Sequence, residues 1–186
     1  MVDYLRYYDL ESYLLEDVRR RFHAEGSLSA FDFFSIVIWK ANRAKSKIAH
    51  RLLRKAALGD LDQVVAQLSR SVFEADAPKE RLRILMEDWG FLLPMASAVL
   101  AVLWPDDFTV YDVRTCDELG RFHKLANWTQ FDRIWSTYEQ FREAVRAAGP
   151  EGLSLRDEDR YLWAKSSATQ LQEDIARCFA KTEEPA

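Results

Sequence analysis

The sequence predicts an all-α fold. Two observations carry that expectation. Only 6 Gly and 5 Pro serve 186 residues, and an all-β chain needs turn residues about every ten positions. Apolar side chains recur at helical spacing along most of the chain. With 48% hydrophobic and 13% aromatic residues, the chain can bury a core without staples.

The elements follow in order. Leu10, Leu14, Val18 and Phe22 repeat every fourth position, which predicts a helix over 9–23, closed by Gly26 and Ser27. Residues 31–41 are nearly all apolar. Ile36-Val37-Ile38 alone would suit a strand, but the length favours a buried helix. Residues 43–57 form a basic amphipathic helix stopped by Gly59. Asp60 offers a cap to a helix over 61–74, and Pro78 suits the first turn of one over 78–89. Gly90 separates the latter from an apolar helix over 94–104, which Pro105-Asp106-Asp107 ends. Phe108–Tyr111 reads as extended and leads to Asp112, placed to cap a helix over 113–125. Helices over 129–147 and 156–180 follow, parted by Gly149-Pro150-Glu151-Gly152, and Lys181–Ala186 is expected to fray.

Several function classes lose support. Two cysteines, Cys116 and Cys178, cannot build a four-cysteine metal site or a disulfide framework. His23, His50 and His123 are scattered, so no metal is expected. Neither a G-x-G phosphate loop nor a G-x-S-x-G nucleophile elbow occurs. No cofactor is expected. The chain opens without a basic-apolar leader, and no apolar run reaches the length of a membrane span. A cytoplasmic, soluble monomer with no membrane partner is the expectation.

The formal net charge of −4 argues against nucleic acid at first sight. Its distribution argues the other way. Lys40, Arg43, Lys45, Lys47, Arg51, Arg54 and Lys55 place seven cations within sixteen positions, and no acid lies between Phe33 and Gly59. On one continuous helix, Lys40, Arg43, Lys47, Arg51 and Arg54 would share an arc of about 80°. A solvated face usually mixes signs, whereas a one-sign stripe repels itself until an anion arrives. A phosphate backbone is such an anion.

Residues 85–112, LMEDWGFLLPMASAVLAVLWPDDFTVYD, run as helix, glycine turn, small-residue helix, proline loop and Asp at a helix start. This pattern resembles the helix-hairpin-helix–Gly/Pro–Asp superfamily of DNA glycosylases, as a divergent bacterial branch. In that family a helix beginning with Ala follows the hairpin, and a catalytic Asp comes about sixteen positions later. Here Asp112 lies sixteen positions after Ala96. The stretch Phe31–Arg43 resembles the family's early helix and the turn that reaches into DNA beside the extruded base. The resemblance covers about residues 30–125, with weaker support from Arg160-Tyr161-Leu162-Trp163. It implies two helical lobes around a cleft, one formed by 28–125 and the other by 1–27 with 126–186.

The resemblance also implies roles. Asp112 would stabilise the sugar cation that develops as a base leaves, and would orient a water. Lys40 is a second catalytic candidate, as nucleophile, as ion-pair partner of Asp112 or as a phosphate contact. Asn42 and Arg43 fall where a wedge would enter the duplex. Lys45, Lys47, Arg51, Gly90 and Arg114 would contact DNA, and Trp39 and Trp163 would stack on the flipped base. Two departures bear on this. Leu92 holds the second hairpin glycine position, and Pro94 stands where glycosylase/lyases carry their Schiff-base lysine. The implied activity is excision of a damaged or modified base, as in base excision repair, without lyase chemistry at the usual position. A catalytically inactive nucleic-acid-binding module and a protein–protein adaptor with a basic face stay open beside it.

Overall fold

The computed structural model describes residues 3–56 and 59–180. The regular structure among the described residues is helical, with no strand. The chain begins with α1 (Tyr4–Tyr8), α2 (Leu10–Ser12), a π-helical turn over Tyr13–Val18 and α3 (Arg19–Glu25). Then come α4 (Ala30–Ala41), α5 (Lys45–Ala56), α6 (Leu61–Glu74) and α7 (Pro78–Arg83), which runs into a π-helical turn. The rest is α8 (Leu93–Leu103), α9 (Val113–Leu119), α10 (Phe131–Arg146) and α11 (Leu155–Ala176).

The local chemistry explains the boundaries. Ser29, Asp60, Asp112 and Ser154 each turn a side-chain oxygen onto a free amide of the helix that follows. Gly26 and Gly120 end α3 and α9 in the left-handed conformation. Gly120 therefore stops α9 well short of the expected end of the 113–125 helix. A short 3₁₀ turn over Leu125–Asn127 follows instead.

The helix α8 organises the core. Every residue from Met95 to Leu103 is buried, so α8 has no solvent face and must be enclosed. It packs against α3, α4 and α7, and Phe22, Phe33, Ile36 and Leu82 belong to the same core. The N-terminal helices thus rest on α4 and α8, and Glu11 reaches α11 through ion pairs with Arg156 and Arg160. The other side is built by α9, α10 and α11, with Phe131, Tyr138, Phe141 and Leu162 buried among them.

The cationic stripe that one continuous helix would present does not form. At Ala41 the backbone leaves the helical region, with φ −160° and ψ 77°, and a 3₁₀ turn over Asn42–Ala44 redirects the chain before α5. The five-cation arc is therefore split. Lys40 stays on α4 and points inward, while Arg43, Lys47 and Arg54 lie exposed beyond the turn. No Gly or Pro marks this break. The apolar run of α4 is held against α8, and Ile48 and Leu52 bury α5 in another direction. Ala57, at the end of the expected 43–57 helix, and the tail 181–186 lie outside the described residues.

Candidate functional site

The segment between α8 and α9 positions Asp112. Phe108, Thr109, Val110 and Tyr111 are buried and non-helical, so their backbone groups need partners. The Tyr138 hydroxyl donates to the Thr109 carbonyl at 2.6 Å and accepts from the Thr109 amide at 3.1 Å. The Tyr111 amide donates to Ser97 Oγ at 2.9 Å, which ties the segment to α8. The Tyr111 hydroxyl donates to the Phe122 carbonyl at 2.7 Å. Asp112 thus leaves a strand-like segment pinned from two helices.

At Asp112 the carboxylate has two tasks. Oδ1 accepts from the Arg114 amide at 3.1 Å and caps α9. Oδ2 is held by the Lys40 ammonium in an ion pair. The side chains are 13% and 22% exposed for Lys40 and Asp112. Burial alone would raise the Asp112 carboxyl, but the Lys40 charge, its hydrogen bond and the Arg114 amide outweigh burial and hold it below the ordinary carboxylate range.

This pair faces a cavity of about 480 Å³. Trp39 and Trp163 contribute aromatic walls, and Val110 and Ala164 add apolar surface. The charged lining comes from Glu11 and from Arg156, Asp159 and Arg160 of α11. Arg156 is the hub of that network. It pairs with Asp159 and with Glu11, the latter at 2.5 Å, and its guanidinium lies 5.1 Å from the Trp39 ring centre. Arg160 reaches Glu11 at 3.3 Å. Asp159 is only 3% exposed. Burial pushes its carboxyl up to about 6, against the pull of Arg156 and Lys40 and with a further push from Asp112.

The expected site residues fall into two groups. Asp112, Lys40, Trp39 and Trp163 meet at the cavity. Arg114 stands beside it. Its guanidinium is 5.5 Å from the Trp163 ring centre and donates to Gln170 at 2.8 Å. Asn42, Arg43, Lys45, Lys47, Arg51 and Gly90 do not line the cavity. Asn42, Arg43, Lys45 and Lys47 are exposed in the turn and on α5, where Lys45 donates to Asn42 at 2.6 Å. Arg51 donates to the Gly90 carbonyl, joining α5 to the hairpin turn. Gly90 has a φ of +71°, a value that favours glycine. Leu92, in the same turn, is 68% exposed.

Sequence reasoning missed Glu11, Arg156, Asp159 and Arg160. A signal was present. On α11 the buried positions Leu155, Glu158, Asp159, Leu162 and Ser166 follow one helical face, and two acids on such a face need an explanation. Among the described residues, no group of three or more His, Cys, Asp or Glu side chains lies together to hold a metal ion. No helix among them is long and apolar enough to cross a membrane. The chain matches no protein-family model, no curated protein and no solved structure.

Proposed function

We propose that the chain is a DNA glycosylase-like enzyme that extrudes a damaged or modified base and hydrolyses its N-glycosidic bond. One observation carries this function. A charged Asp112 faces a cavity with two tryptophan walls, and α4, which carries Lys40 and Trp39, continues into an exposed cationic turn and helix. The proposal includes a two-lobed fold of the helix-hairpin-helix–Gly/Pro–Asp type. Residues 28–125 would form one lobe and 1–27 with 126–186 the other.

The chemistry follows from the parts. An extruded base enters between Trp39 and Trp163, whose faces tolerate many bases. The Asp112 carboxylate sits where positive charge develops on the sugar as the base departs, and it orients the attacking water. Lys40 keeps that carboxylate ionised. Pro94 supplies no amine, so no Schiff base forms at the usual position. Arg43, Lys45, Lys47 and Arg51 meet the phosphate backbone, and Asn42 is placed to fill the gap that the base leaves. Gly90 and Arg114 contact the flanking backbone.

Duplexes carrying a panel of modified bases test the proposal. Abasic sites are expected with the native chain, and none with Asp112→Asn. Binding without release across the panel would sink the enzyme and leave a nucleic-acid-binding module. Leu92 favours that second function, because it departs from the hairpin that the resembling glycosylases carry.

A further inference from the structure

We infer that Asp159 is a positioning residue of this site: it is the carboxylate to which the Lys40 ammonium passes when a bound ligand claims Asp112. The inference rests on the proposed function and deepens it.

Asp112 is neutralised at rest. One oxygen caps α9 through the Arg114 amide, and the other carries Lys40. Releasing the cap would leave the Arg114 amide without that partner. An ammonium against the remaining oxygen cancels most of the field that the carboxylate could offer a sugar cation. Lys40 must therefore leave Asp112 for Asp112 to act.

Lys40 has few destinations. Its side chain is 13% exposed, and a buried ammonium stripped of its counter-charge is strongly disfavoured. The cavity holds two other acids. Glu11 is already engaged by Arg156 at 2.5 Å and Arg160 at 3.3 Å, and its side chain is 29% exposed. Asp159 is the inner one. Its Oδ2 accepts from Arg156, and among the described residues no side-chain donor reaches its Oδ1. It lines the same cavity as Lys40 and Asp112.

The groups facing Asp159 come from every element packed around it. Arg156 lies on its own helix, Lys40 on α4, Asp112 and the Val110 amide on the segment before α9, and Tyr138 on α10. Burial pushes the Asp159 carboxyl up to about 6. At neutral pH it is charged and can receive an ammonium. In more acid solution it holds a proton and cannot. Arg156 keeps it in place, being itself fixed by Glu11 and lying 5.1 Å from the Trp39 ring centre.

Asp112→Asn mimics the claimed state without any DNA, because it removes the charge that holds Lys40. Carboxyl-carbon NMR titration of the full chain then reads Asp159. Its proton affinity is expected to fall at least tenfold in Asp112→Asn. The same Asp112→Asn substitution is made in a Lys40→Met chain, where its effect on Asp159, measured against Lys40→Met alone, is expected to be several-fold smaller. An equal effect of Asp112→Asn in the two backgrounds overturns the inference, since Lys40 then acts on Asp159 only from where it already stands. In turnover, Asp159→Asn is expected to slow base release about tenfold at neutral pH with duplex affinity unchanged, and Asp159→Glu to recover part of the rate. Native release by Asp159→Asn also overturns it. The two arms separate the failures: NMR coupling in a chain that releases no base keeps the Lys40 transfer and removes the glycosylase function.

Discussion

Asp112 and Lys40 stand 72 positions apart in sequence and share one ion pair at the edge of a tryptophan-walled cavity. The pair joins α4 to the cap of α9. The same carboxylate therefore holds a helix start in place and carries the charge that the proposed chemistry uses. These duties can be separated by substitution.

Asp112→Asn keeps the cap, because an amide oxygen accepts from the Arg114 amide as a carboxylate does. Asp112→Ala loses cap and ion pair together. Urea unfolding should place Asp112→Ala about 1 kcal/mol below Asp112→Asn. The native carboxyl lies below its ordinary value of 3.8, because Lys40 outweighs burial. Its stabilising contribution is thus full above about pH 4 and is lost as pH falls through the lower folded value. The native and Asp112→Asn stability curves should converge in strong acid.

Asp159 has the opposite sign. Its folded carboxyl is raised from 3.8 to about 6 by burial. The folded chain binds that proton more tightly than the unfolded chain, so stability falls as pH rises between those values. The native chain should lose about 1 kcal/mol relative to Asp159→Asn between pH 5 and pH 7, from the difference in proton affinity alone. Paired denaturant titrations at the two pH values measure it. A difference that does not change with pH refutes the expectation.

Tyr138→Phe removes one hydroxyl and leaves both the amide and the carbonyl of buried Thr109 without a partner. The expected cost is about 2–3 kcal/mol in chemical denaturation. Thr109 lies three residues before Asp112, so base release should fall in the same variant even where it remains folded.

Alanine at Lys45, Lys47 or Arg54 should weaken duplex binding uniformly across sequences. For each phosphate that is no longer neutralised, the slope of log affinity against log salt should shrink by about 0.9. Lys40→Met should leave that slope unchanged, because Lys40 faces Asp112. Fluorescence anisotropy over a salt series reads both outcomes.

Much of the fold was legible because its signals are local. Asp60 and Asp112 announce helix starts, Gly26 announces a helix end, and the apolar run after Pro94 can only be an enclosed helix. An ion pair with Asp112 was one of three roles that the sequence left open for Lys40, and the two side chains do meet. Separate helices over 31–41 and 43–57 were legible, but the turn that disperses the cationic stripe was not, since Ala-Asn-Arg-Ala carries no strong breaker and the change of direction is imposed by where α4 and α5 bury their apolar sides. The Glu11–Arg156–Asp159 network was not legible either. It depends on an N-terminal helix meeting the start of α11, 145 positions away, and no local pattern fixes such a distance.

The turn at Ala41 divides neighbouring cations by the solution variable that governs them. Lys45 and Lys47 stand in open water, where mobile ions screen charge over about 8 Å at physiological strength. Lys40 stands behind the turn, where dissolved ions penetrate little and the protonation of carboxylates sets its surroundings. Ionic strength and acidity thus act as two independent dials on one short stretch of chain, the first setting how far the exposed cations are felt and the second setting the charge of the carboxylate that holds Lys40.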